Sequence, residues 1–216
     1  MKTSRSVGAF LILLLGAAAM VGCSERASPS TSPNAPASPH STATATAADI
    51  TTLGFESGIG LPADTTVHWD LALDDMQGWE LVDDRMADLN EGDHVVYNAE
   101  LTCVASFMHL DLAGTTGLTD LQASDDALRS EVERGAVRMD PAAVISSSLG
   151  FQTAGNPGLA ARRYIAQAET GVVGVFFARA LVSIERGVLF FATCDSEELA
   201  LETAETLLQK NTVVLR

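Results

Sequence analysis

Val172-Val173-Gly174-Val175-Phe176-Phe177-Ala178-Arg179-Ala180-Leu181-Val182-Ser183-Ile184 is followed by Glu185-Arg186-Gly187 and then by Val188-Leu189-Phe190-Phe191-Ala192-Thr193-Cys194. Two apolar runs rich in Val and Phe, joined by a polar triplet ending in glycine, predict a β-hairpin. The phenylalanines come as adjacent pairs, 176 with 177 and 190 with 191. Successive strand residues point to opposite faces, so each pair sends one ring to each side of the sheet. Core packing is the plain reading of these rings. Leu101–Leu112, with Leu101, Cys103, Ala105 and Phe107 on one side and Val104, Met108, Leu110 and Leu112 on the other, is the strand expected to be covered on both faces. Just upstream of the hairpin, Ala161–Ala168 and the turn Glu169-Thr170-Gly171 add a third strand to the same meander.

Working outward, the downstream flank predicts a helix. Ser196 is its N-cap and Glu197 and Glu198 sit in its positive first turn. Ala200, Ala204, Leu207 and Leu208 form its apolar stripe, Lys210 lies near its negative end, and Thr212–Leu215 is a β-like tail. Upstream, Pro141–Leu149 reads as a short helix, and Ser124–Ala136 as a longer one. In the longer one Ser124 is the expected N-cap, Asp125 and Asp126 fill the first turn, and Leu128, Val132 and Ala136 make the buried stripe. Further upstream, Leu101–Leu112, His94–Tyr97, Trp79–Val82 and Val67–Leu73 have strand character. Strands, helices, antiparallel strands and a final helix define an α+β domain: a largely antiparallel β-sheet flanked by helices, over residues 66–216.

The other end of the chain reads as an address. Lys2 and Arg5 precede the uncharged run Val7–Gly22, which ends in Met20-Val21-Gly22-Cys23. A basic start, an apolar core and small residues before a cut describe a secretory signal, here residues 1–22. The alternatives are a plain secretory signal with an incidental Cys23 and an uncleaved N-terminal anchor, although sixteen residues fall short of the roughly 20 a membrane span needs. From Ser24 to Ala48, 21 of 25 residues are Ser, Thr, Ala or Pro. That composition cannot offset its own ordering entropy, so residues 23–65 are expected to form a disordered, proline-stiffened tether. The chain carries a net charge of −15, which becomes −17 once Lys2 and Arg5 are removed with the signal. Such an acidic domain is a poor partner for nucleic acid. Of the three cysteines, Cys103 and Cys194 remain after Cys23. In an exported domain they predict a disulfide, with two unpaired buried thiols as the alternative.

Motifs for chemistry are sparse. There is no Gly-x-Ser-x-Gly, Walker A, His-Glu-x-x-His or Cys-x-x-Cys. Ser57, in Phe55-Glu56-Ser57-Gly58, lacks the first glycine of a nucleophile elbow, and Gly58-Ile59-Gly60 lacks the spacing of a phosphate loop. Ser146-Ser147-Ser148 reads as loop or helix-end serines. The acidic stretch with Glu80, Asp83, Asp84, Asp88, Glu91 and Asp93 misses the EF-hand pattern, because Gly92 falls at the fifth place and not the sixth. It reads as a solvated loop, with a weak Ca²⁺ site or a docking surface for a basic partner as the functional alternative. His68 with Asp70, and His109 with Asp111, share strand faces at i, i+2 but supply too few ligands for a zinc site unless they meet. No cofactor is implied. Trp69 and Trp79 read as packing residues.

Met20-Val21-Gly22-Cys23 resembles the lipobox of bacterial lipoproteins, with Met20 where Leu is usual. That resemblance implies lipidation of Cys23, which would become the mature N-terminus. The chain resembles, over roughly residues 66–216, the small actinobacterial lipoproteins of the LpqN type, which are similar in fold to PsbP, the extrinsic photosystem subunit. The resemblance rests on the lipobox, the Ser/Thr/Pro tether, Trp79 in an early strand, the long strand after Tyr97 and Asn98, the Phe-rich hairpin and the final helix with its Val-rich tail. It implies an α/β/α sandwich and an accessory role at the cell envelope, held at the membrane by the lipid, binding a protein partner or an apolar small molecule. It carries over no catalytic residue. The alternative from another class is an extracytoplasmic hydrolase with a non-local His/Ser/Asp site around His94 or His109.

Overall fold

The computed structural model describes residues 54–55, 61–72, 76–82, 91–115, 117–150 and 158–216. The elements in chain order are β1 (Val67–Asp70), β2 (Trp79–Leu81), β3 (His94–Asn98), β4 (Cys103–Asp111), α1 (Asp120–Arg134), β5 (Ile145–Leu149), β6 (Leu159–Gln167), β7 (Val173–Leu181), β8 (Arg186–Cys194), α2 (Glu197–Lys210) and β9 (Thr212–Leu215). Seven strands form one antiparallel sheet in the order β2-β3-β4-β8-β7-β6-β5, and β1 pairs antiparallel with β9 in a separate ribbon. The expected α+β class with a largely antiparallel sheet is what the chain adopts, with two α-helices among the described residues.

The Phe hairpin is the middle of that sheet. Every residue of β7 is buried. Its rings divide as the adjacent pairs require: Phe177 and Phe190 join Phe107 in one core, while Phe176 and Phe191 stack at 5.6 Å in the other. The first core is closed by Ala200, Ala204 and Leu207 of α2 and by Val67, Trp69 and Val213 of the ribbon. The second is closed by Leu128 and Val132 of α1. Each such ring or leucine contributes on the order of 1.5–3 kcal/mol by leaving water.

Cys103 and Cys194 face each other across β4 and β8, with Cα atoms 4.3 Å apart, and are joined by a disulfide. That spacing is the one expected of a non-hydrogen-bonded antiparallel pair. The register is set by the turn before β4. Asn98 Oδ1 accepts from the Thr102 and Cys103 amides, and its Nδ2 donates to Thr102 Oγ1. The Thr203 hydroxyl of α2 donates to Cys103 Sγ at 3.4 Å, so the second helix packs directly on the disulfide.

Several boundaries differ from those the sequence predicts. Helix α1 is capped five residues earlier, by a capping box between Thr119 and Gln122; Ser124 is inside the helix and buried, and Ala136 lies beyond its end. Pro141–Leu149 is not a helix: a single 3₁₀ turn over Pro141–Ala143 leads into edge strand β5, which contains Ser146, Ser147 and Ser148. Val182–Ile184 is a 3₁₀ turn, with Glu185 left-handed at its end, and Arg186 already belongs to β8. Leu101 sits in the turn at φ 55°, so β4 begins at Cys103. Packing also reaches N-terminal of residue 66: Leu61 is buried in the first core and Phe55 lies against Arg179. The signal, Cys23 and most of the tether lie outside the described residues, as do Asp83, Asp84 and Asp88. Among the described residues no helix is long and apolar enough to cross a membrane.

Candidate functional site

Among the described residues several polar side chains are buried, and two groups of them, around Asp93 and around Arg179, are candidate sites. The first is at the corner where β3 starts and β4 ends. Asp93 is buried, and its Oδ1 accepts from the His109 backbone N–H at 2.7 Å and lies 3.1 Å from His109 Nδ1. An ionised carboxylate only accepts, so Nδ1 carries the proton, and a neutral His109 presents its lone pair at Nε2. That Nε2 is buried and has no hydrogen-bond partner. Gly92 makes the arrangement sterically possible: its φ is +87°, and a Cβ there would lie 3.0 Å from His109 Cε1.

Two more imidazoles approach. The His68 ring, on β1, is 6.1 Å from the His109 ring and steeply inclined to it. His94 begins β3; burial foremost, and then His109, push its imidazole below its ordinary value, with Asp93 partly offsetting them. The fourth histidine of the chain, His40, is outside the described residues. Beneath the corner, Trp69 donates from Nε1 to the Met108 carbonyl at 3.1 Å and sets its ring edge-on to Phe107 at 5.2 Å. The ribbon is thus pinned to β4 beside the histidines.

The histidine–aspartate pairs expected along single strands are therefore rearranged in space: His68 meets His109, while Asp111 bonds Arg186 at 3.0 Å. The acidic stretch is not uniformly solvated. Asp93 is consumed by His109, Glu80 accepts from the Tyr97 hydroxyl at 2.6 Å, and Glu91 is exposed. Among the described residues no three His, Cys, Asp or Glu side chains are grouped to hold a metal ion. Chemically, the Asp93–His109 contact has the geometry by which a carboxylate orients an imidazole. Among the described residues no hydroxyl or thiol lies within hydrogen-bond reach of Nε2 to act as its nucleophile.

The second centre is Arg179, in the middle of all-buried β7 and itself only 1 % exposed. The β6–β7 ladder ends at Arg162 opposite Ala178. Beyond it helix α1 takes over the strand's donors: Ala180 N–H gives to Ser124 Oγ at 2.8 Å and Val182 N–H to Asp120 Oδ1 at 2.9 Å. Arg179 Nη2 donates to the other Asp120 oxygen at 3.0 Å and to the Gly54 carbonyl at 3.4 Å, and its guanidinium carbon lies 4.4 Å from the centre of the Phe55 ring. Nε and Nη1 have no hydrogen-bond partner. Burial lowers the Arg179 pKa and the Asp120 carboxylate opposes that shift. No motif in the chain singles this residue out, although a lone arginine inside a thirteen-residue apolar run is itself a signal that a counter-charge has to be nearby.

Lesser polar contacts brace the same helix. Arg162 joins Asp125 of α1 at 2.6 Å and donates to Ser146 Oγ of β5 at 3.0 Å. No family model matches this chain, and no curated protein matches it.

Proposed function

We propose that this chain is a lipid-anchored lipoprotein of the cell envelope, of the LpqN/PsbP-like kind, whose extracytoplasmic domain is a non-enzymatic accessory that binds a protein partner or an apolar small molecule. The observation that carries the reading is the order along the chain: Met20-Val21-Gly22-Cys23, then the Ser/Thr/Ala/Pro tether, then one α+β domain. Two acyl chains or more on Cys23 suffice for stable anchoring. The Cys103–Cys194 disulfide supports export, because such bonds persist in oxidising compartments. Helices over both faces of the antiparallel sheet support the sandwich that the resemblance implies.

Membrane fractionation with metabolic labelling by a fatty acid tests it. The wild type is expected in the membrane fraction and labelled; Cys23→Ala is expected unlabelled and released. Mature Cys23→Ala protein that stays with the membrane refutes the lipid anchor. The Asp93–His109 pair supports one competing reading, an extracytoplasmic hydrolase. Turnover of an ester panel by purified protein, abolished in His109→Ala, would establish that reading and displace the non-enzymatic one.

A further inference from the structure

The Arg179 centre poses a question that the fold alone does not answer. Replacing a buried ion pair by apolar side chains is often neutral or stabilising. A guanidinium on an inner, wholly buried strand, with two of its three nitrogens unpartnered, is therefore a costly way to fill the space. What it touches tells its use. On one side Asp120 holds it at 3.0 Å; on the other are the Gly54 carbonyl and the Phe55 ring. Those two residues precede the first strand by thirteen and twelve positions and have no place in either sheet. A ring near 4.4 Å from a desolvated guanidinium is the geometry of a cation–π contact, which Arg makes better than an apolar residue could.

We propose that Arg179 and Asp120 form a docking site for the chain's own Gly54–Phe55 segment, a strap that fastens the end of the tether to the domain. Asp120 orients the guanidinium while also accepting from Val182 N–H, so the site is built on α1 and β7 together. Phe55 is its ligand and stacks on the cation. Leu61 is a second, independent attachment in the first core. Undocking Phe55 while Leu61 stays in place moves the first attachment point six positions along the chain, which lengthens the tether by roughly 20 Å at full extension. The consequence for reach rests on the lipid-anchor reading; the docking does not.

Cleavage of the full chain by endoproteinase Glu-C after Glu56, followed by mass spectrometry, reads the strap directly. Wild type is expected to be cut slowly. Phe55→Ala and Arg179→Met are each expected to be cut at least tenfold faster, with cooperative thermal unfolding retained. The double variant is expected to be no faster than either single one, because both changes remove the same contact. Phe55→Trp is expected to keep the slow rate. Equal rates in wild type and Phe55→Ala, or multiplying effects in the double variant, overturn the proposal. Should Arg179→Met fail to fold, Phe55→Ala against Phe55→Trp decides alone, since an aromatic requirement is what the cation imposes. The same set of rates in a Cys23→Ala background is expected, and keeps failure of the strap distinct from failure of the anchor.

Discussion

Replacing both Cys103 and Cys194 by alanine tests how much of this fold depends on its covalent staple. The bond joins residues 91 positions apart. In the chain-entropy model a loop of that length removes about 15 cal/mol/K from the unfolded chain, or ~4.6 kcal/mol at 25 °C. Both sulfurs are buried under Thr203, so their removal subtracts packing as well. For a domain of this size, each kcal/mol corresponds to roughly 2–4 °C. The double variant is therefore expected to melt about 10–18 °C below the oxidised wild type, and reduced wild type is expected to lose a similar amount. Urea titrations of the oxidised, reduced and double-alanine forms measure the loss. Opening the loop lets the unfolded chain expand, so the denaturant slope is expected to rise on reduction. A midpoint that moves by less than the equivalent of about 1 kcal/mol would refute the entropic reasoning: the register fixed by Asn98 and the nine pairs of β4 with β8 would then be sufficient.

Other residues make sharper local predictions. His94 sits below its ordinary value of 6.5, so on acidification the unfolded chain takes up that proton first. Its contribution to stability is complete above pH 6.5, is lost as the pH falls from there, and is fully gone below the folded-state value; His94→Asn is expected to flatten the dependence of urea midpoints between pH 7.5 and 5, and an unchanged slope would dismiss it. Gly92→Ala is expected to destabilise by about 1–2 kcal/mol, since the left-handed backbone and the contact with His109 both oppose a Cβ; a denaturation midpoint equal to wild type would contradict this. Ser124→Ala leaves the Ala180 amide without its acceptor in a buried position and is expected to cost ~1–3 kcal/mol, with the loss of protection at that amide visible by hydrogen exchange.

The sheet was legible in the chain where strands carry apolar residues on both faces, because only a covered strand tolerates such a pattern; β4, β7 and β8 are of that kind. Helix α2 was legible because Ser196 and the two glutamates that follow it are both the local signal and the realised cap. Helix α1 was misplaced for a tertiary reason. Ser124 followed by two aspartates looks like a cap, but its hydroxyl is needed four residues into the helix, donating to the Asp120 carbonyl at 2.6 Å and accepting from Ala180 on β7. Strand β5 was hidden because Ile145-Ser146-Ser147-Ser148-Leu149 has little intrinsic strand preference; pairing with β6 supplies it. The histidine corner was only half visible. Each residue could be named from the chain, but that Asp93 would leave the acidic stretch to orient His109 depends on the register of β3 with β4, which no local pattern encodes.

The staple between Cys103 and Cys194 also gives the domain a topology. It closes residues 103–194 into a covalent ring that holds α1 and the five strands β4 to β8. Two arms leave that ring at adjacent points: one carries β1 to β3, the other α2 and β9. The arms meet again without a covalent link, where Thr66 and Arg216 exchange backbone hydrogen bonds and Val67 pairs with Leu215. A single nick anywhere inside the ring leaves one covalent molecule, whereas a nick in either arm leaves a fragment held by packing alone. The two halves of the molecule therefore differ in how they survive damage: the ring is protected by its connectivity, the arms only by their fold.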